Sequence, residues 1–228
     1  MQQYFVEEKL QEDSLVNLRD DIKYHLIKVL RLTNQEFRLV DNTNSIFLCR
    51  LEKDKARVIK NLHENNELDI DITVILSLIK SDKFELTLQK LTELGVKKIV
   101  PYNAIRSVVK ENKKQKKLER YRKILTEASE QSHRNIIPEI TSAIDLKDLE
   151  NYKSQLNLVA YEKEEDISKL DISSKSITIL IGPEGGFDPK EINEIIKCGF
   201  KSISLGKRIL RAETAAIYLT SVIVGNNL

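Results

Sequence analysis

The apolar residues of this chain follow two different rhythms. Ahead of Asn61 they come in short runs typical of strands: Tyr4-Phe5-Val6, Glu36–Val40, Ile46–Leu51 and Ala56–Lys60. Asp41-Asn42-Thr43-Asn44-Ser45 supplies the turn chemistry for a hairpin between the second and third. Between the first two runs, Asp20–Leu30 spaces Ile22, Leu26, Ile27, Val29 and Leu30 largely along one helical face. This pattern predicts a small β-rich, barrel-like module around one helix. The polar and acidic stretch Asn61–Asp71 reads as a linker.

From Ile72 the rhythm changes. Ile72–Ile79 is continuously apolar, as in a strand buried on both faces, and Lys83–Leu94 is an amphipathic helix ended by Gly95. Further strands are predicted at Val96–Val100, Leu156–Tyr161, Ile177–Ile181 and Ser202–Leu205. Helices are predicted at Lys117–Ser132, Pro189–Cys198 and Ala212–Val224. Strands alternating with helices indicate an α/β fold with a mostly parallel sheet, whose ligand site lies beyond the carboxyl ends of the strands. The expected division is a β-rich domain over 1–70 and an α/β domain over 71–228.

Composition narrows the options. With 228 residues, 41% hydrophobic and 32% charged, the chain is long enough for two modest domains with real cores. Its apolar runs fall short of the roughly 20 residues a membrane helix needs, and its N-terminus lacks the pattern of a signal peptide. The two cysteines, Cys49 and Cys198, form no CxxC pair, and the three histidines lack metal-ligand spacing. The expectation is a cytoplasmic, soluble protein without a metal. Net charge is only +2, yet nine basic and two acidic residues lie between Arg106 and Lys123. A single-sign cluster inside a balanced chain fits a polyanion partner, although such a run also serves as an ordinary solvated helix start.

The chemistry centres on Gly182-Pro183-Glu184-Gly185-Gly186-Phe187, which follows the apolar run Ile177–Ile181. It matches neither a Walker A loop nor a dinucleotide fingerprint, and Glu184 would repel a phosphate. A second glycine-centred turn, Ser204-Leu205-Gly206-Lys207-Arg208-Ile209-Leu210-Arg211, also leaves a strand and enters a helix. Each alone reads as a tight strand–helix connection. Together they suit a pocket walled by backbone for a flat, mostly neutral group such as adenine, with apolar contact from Ile209 and Leu210.

The motifs IGPEGGF and LGKRILRAETA, with HLIKVLR (25–31), QKLTELGVKKIVP (89–101), RSVV (106–109) and EASEQSHR…IPEI (127–140), resemble the RsmE family of ribosomal-RNA small-subunit methyltransferases, within the SPOUT superfamily. The similarity runs nearly the whole length. One departure is Gln2-Gln3, where the family has basic residues. The resemblance implies a PUA-like first domain, a second domain tied in a deep trefoil knot, a homodimer, and S-adenosylmethionine as methyl donor to N3 of a uridine in 16S rRNA. It implies cofactor contacts from Ile181, Gly182, Pro183, Glu184, Gly185, Gly186, Leu205, Gly206, Ile209, Leu210 and Arg211. The expected RNA contacts are His25, Arg31, Lys113, Lys114, Lys116, Lys117 and Arg122. Uracil N3 must lose its proton to become nucleophilic, leaving charge on O2 and O4, and arginine donors suit that charge. Arg106, Arg134 and Arg211 are the candidates, with Glu127 as a candidate base. A ribose 2′-O methyltransferase of the same superfamily and a non-catalytic RNA-binding assembly factor are the competing readings.

Overall fold

The computed structural model describes residues 1–31, 35–110, 115–161 and 174–227. The chain forms two compact units, one of Met1–Glu67 with Ser129–Ile136, the other of Leu68–Ala128 with Ile137–Leu228. The first unit therefore takes in a segment that a division at residue 70 leaves in the second.

The first unit is built on a five-stranded sheet of β1 (Gln3–Phe5), β2 (Leu15–Asn17), β3 (Glu36–Val40), β4 (Ile46–Glu52) and β5 (Lys55–Asn61), ordered β1-β3-β4-β5-β2. Only β1 and β3 pair in parallel. The strand β2 escapes the sequence pattern because it has three residues and buries only Val16. Helix α1 (Asp20–Tyr24) continues through a π-helical turn, His25–Val29, and presents Ile22 and Leu26 to a core that includes Phe37, Leu39 and Val58. The β3–β4 turn is organised by Asp41, which is buried. Its carboxylate accepts hydrogen bonds from Leu10 N, Thr43 N, Thr43 Oγ1 and Ser45 N.

The second unit carries a six-stranded parallel sheet: β6 (Asp71–Ser77), β7 (Lys98–Tyr102), β8 (Glu139–Ile140), β9 (Leu156–Ala160), β10 (Ser176–Ile181) and β11 (Lys201–Ile203), ordered β11-β9-β10-β6-β7-β8. Side chains alternate between its faces, so Ile72, Val74 and Leu76 enter one core and Ile75 the other. The first core receives α2 (Ser81–Glu93), α3 (Gln115–Gln131) and α5 (Ala212–Gly225); the second receives α4 (Pro189–Lys197) and the 3₁₀ turn Leu146–Tyr152. Tyr121, which lies in the basic run, is buried, its ring centroid 5.1 Å from that of Phe84. Its ring belongs to the core. Among the described residues no helix is long and apolar enough to cross a membrane.

Burial alone would raise the Asp41 carboxyl, but the hydrogen bonds from Thr43, Leu10 and Ser45 outweigh it and hold the group below the usual aspartate range. A depressed folded value contributes stability that is full above the unfolded value, about 3.9, and is lost as pH falls through the folded one. Asp41→Asn should lower stability at neutral pH by about 1–3 kcal/mol. It should also flatten the acid loss of stability, measured by urea unfolding across pH with a probe in the first unit. An unchanged acid slope would remove Asp41 from that role.

Candidate active site

Strand β10 is buried through Ile181 and delivers the chain into Gly182 at the carboxyl edge of the sheet. The turn that follows closes with a hydrogen bond from Gly186 N to Pro183 O, 2.9 Å, and Gly186 sits at φ +67°. Phe187 then folds back beside Gly182, and Asp188 caps α4 by accepting from Lys190 N. The second turn leaves β11 and reaches α5 through Gly206 at φ +107°. Side chains rarely adopt either conformation, which explains glycine at both places. At both, the space a Cβ would occupy has nothing within 4 Å.

The two turns face one cavity of about 480 Å³, within the range of small-molecule sites. Its lining includes Ile181, Gly182, Pro183, Glu184, Gly185, Gly186, Leu205, Gly206, Ile209, Leu210 and Arg211, together with Arg106 from the segment after β7. Sequence reasoning missed Tyr161, Phe187, Arg208 and Ala215, which also line it. Tyr161 was findable, since it ends the chain's exit from β9 at the same sheet edge. Leu210 is packed against the core, whereas Ile209 is 86% exposed. The apolar contact expected of both therefore falls to Leu210, and Ile209 stands at the rim. Three cations, Arg106, Arg208 and Arg211, face a single acid, Glu184. Among the described residues, Lys207, Arg208 and Arg211 have no ion-pair partner. Arg106 donates from Nη2 to Asp188 Oδ2 at 3.2 Å.

Other expected residues lie elsewhere. Arg134 does not line the cavity: it is 3% exposed, belongs to the first unit, and holds Glu67 through Nη2 at 2.6 Å and Nε at 3.3 Å. Glu67 also accepts from Asn135 N at 2.8 Å, and Gln3 Nε2 donates to Arg134 O at 2.7 Å. Arg134 thus anchors the 129–136 segment. Glu127 is an exposed residue of α3, 3.7 Å from Lys123 Nζ, and does not line the cavity either. In this chain it is a surface residue facing Lys123. Of the expected RNA contacts, Lys116 and Arg122 are exposed and Lys117 half-buried on α3, while Arg31 is exposed at φ +54° in the first unit. His25 is half-buried, its Nδ1 2.8 Å from Tyr4 Oη. Lys113 and Lys114 lie outside the described residues. Among the described residues no cluster of His, Cys, Asp and Glu is arranged to hold a metal.

Comparison with known proteins bears on this arrangement. Residues 66–224 match the family described as RNA methyltransferase domain. The chain is 37% identical to a ribosomal RNA small subunit methyltransferase E of Mesomycoplasma hyopneumoniae, covering 96% of this chain and 97% of that one. It is 35% identical to the protein of the same name from Bacillus subtilis, covering 98% and 96%. In structure it is similar to a ribosomal RNA small subunit methyltransferase E from Neisseria gonorrhoeae bound to S-adenosyl methionine, with a TM-score of 0.91, 31% identity, and coverage of 99% and 98%.

The reassignment of Arg134 has a direct test. Arg134→Ala leaves the Glu67 carboxylate with only the Asn135 and Ile136 amides and without its charged partner, and should cost about 3 kcal/mol of stability. Thermal or urea unfolding reads the loss, and a variant as stable as the wild type would contradict the anchoring role.

Proposed function

The chain belongs to the ribosomal RNA small subunit methyltransferase E family, and we propose that it transfers a methyl group from S-adenosylmethionine to N3 of a uridine in 16S rRNA. One observation carries this reading: both glycine turns, Arg106 and Arg211 converge on a single cavity at the carboxyl edge of the parallel sheet. The cavity suits the cofactor, because Gly186 and Gly206 leave open the space that a side chain would fill. When bound, S-adenosylmethionine supplies a methyl group on a sulfonium, open to in-line displacement without a metal.

The residues that would hold it are those of the two turns, Ile181–Gly186 and Leu205–Leu210, whose main-chain groups would supply hydrogen bonds and Leu210 apolar contact. The protein's remaining work is alignment and charge. Arg106 and Arg211 act on the uracil: their fixed positive charge favours loss of the N3 proton to solvent water and stabilises the negative charge left on O2 and O4. Arg208, which has no ion-pair partner among the described residues, is a third donor at the same cavity.

The same reading gives the first unit, Met1–Glu67 with Ser129–Ile136, as a PUA-like RNA-binding domain and the second as the methyltransferase domain. Lys116 and Arg122 on α3 serve as phosphate contacts. A trefoil knot in the second unit is supported by the strand order, in which β10 lies between β9 and β6. After β11 the chain doubles back so that α5 packs on α2, β6 and β10. Homodimerisation is supported by exposed apolar side chains on the same unit, among them Ile105, Val108 and Tyr218. Action on ribosomal RNA sets the work in the cytoplasm.

Two measurements test the proposal. S-adenosylmethionine at about a hundredfold excess over its dissociation constant should stabilise the protein by roughly 2.7 kcal/mol. Gly186→Val should abolish that shift, since valine is strained at positive φ; a folded variant with the full shift would remove the turn from the cofactor site.

Arg106→Ala and Arg211→Ala should each lower the single-turnover rate at saturating cofactor and RNA by roughly 10²–10³. Both affinities should change little. If each variant instead weakens RNA binding at a normal saturated rate, the arginines are phosphate clamps and the electrostatic part of the proposal fails.

A further inference from the structure

Glu191 lies at the third position of α4 and is 1% exposed, yet it does not line the cavity. Its Oε1 accepts from Tyr102 Oη at 2.7 Å and from Ile105 N at 2.9 Å, and its Oε2 accepts from Asp188 N at 3.4 Å. A glutamate at this position needs only the last of these bonds to complete a capping box. The two shorter bonds go to a different part of the chain, the exit of β7. Burying a carboxylate is costly unless it is fully hydrogen-bonded, and here three donors from two segments converge on it. Burial and the bond to Glu191 both raise the Tyr102 hydroxyl well above its usual range, so it stays a donor.

What these bonds hold in common is Arg106. The residue before it, Ile105, is tied to Glu191 through its amide. The Arg106 guanidinium is tied to Asp188, whose own amide donates to Glu191. Gly185 completes the wall: a Cβ there would lie 3.5 Å from both Arg106 Cβ and Arg106 O. Resting on the function proposed above, we propose that Glu191 is a positioning residue for methyl transfer, fixing Arg106 at the cavity by joining the β7 exit to the start of α4. It acts through Arg106 and does not itself line the cavity.

The test is a double-mutant cycle read by single-turnover methyl transfer to 16S rRNA at saturating S-adenosylmethionine and RNA. Glu191→Ala should lower the rate about 10²-fold, the loss that a misplaced reacting group incurs. In an Arg106→Ala background the same change should cost no more than about twofold, because the two residues act as one unit. Glu191→Gln, which keeps an acceptor oxygen for Tyr102 and Ile105, should recover most of the rate. Equal losses in both backgrounds would overturn the proposal, as would an Arg106→Ala variant with the wild-type rate. Should Glu191→Ala not fold, Tyr102→Phe removes the shortest bond and takes its place in the cycle, with the same non-additivity expected at smaller amplitude. Hydrogen exchange at the Ile105 amide gives a readout independent of activity. If the wild type transfers no methyl group, the functional reading fails while this amide still decides the positioning claim. Faster exchange in Glu191→Ala supports it, and unchanged exchange overturns it.

Discussion

The parallel register of the six-stranded sheet is the constraint on which the site depends. Ile181 of β10 pairs with Leu76 of β6, Leu180 with Val159 of β9, Ile203 of β11 with Ala160 of β9, and Ser77 of β6 with Tyr102 of β7. Five strands therefore release the chain at one edge and at one level. Residues separated by more than a hundred positions, Arg106 and Arg211 among them, meet there because backbone hydrogen bonds leave no alternative. A slip of one residue in any of these pairs would send each side chain of that strand into the opposite core and move the level at which its chain leaves the sheet.

Glycine and arginine then divide the work at this edge. The glycine turns lower the cavity wall to the main chain, so that shape and hydrogen-bonding edges come from groups with no rotamers to order. The arginines surround the opening with positive charge that one acid, Glu184, does not balance. Charge of this kind promotes reaction only if its position is set beforehand. The Arg106–Asp188 pair and the buried carboxylate of Glu191 tie the exit of β7 to the start of α4, whereas Arg208 and Arg211 lie on the second turn itself.

Much of this architecture is legible in the residues themselves. Strand β3 falls where its pattern predicts, the apolar run of β6 announces a strand covered on both faces, and the proline and acids opening α4 mark its start. The elements that escape are those with too few residues to show a period: β2, β8 and the 3₁₀ turn Leu146–Tyr152. Side-chain roles are less legible where the partner is remote in sequence. Arg134 beside His133 suggests a catalytic or phosphate-binding arginine, and nothing local points to Glu67 as its partner. Glu191 reads as one half of a capping box with Asp188. Its shorter bonds run to Tyr102 and Ile105, which only the packing of β7 against α4 brings near. The cavity itself was foreseeable because parallel sheets bind ligands at their carboxyl edge, and the same rule, applied to β9, would have added Tyr161.

The most direct test of the central claim is the chemical identity of the product. 16S rRNA from cells lacking this gene would be incubated with the purified protein and S-adenosylmethionine bearing an isotopically labelled methyl group, then digested and analysed by mass spectrometry. The account predicts the label on N3 of one uridine. Label on a ribose 2′-oxygen, or none on the RNA, would contradict it.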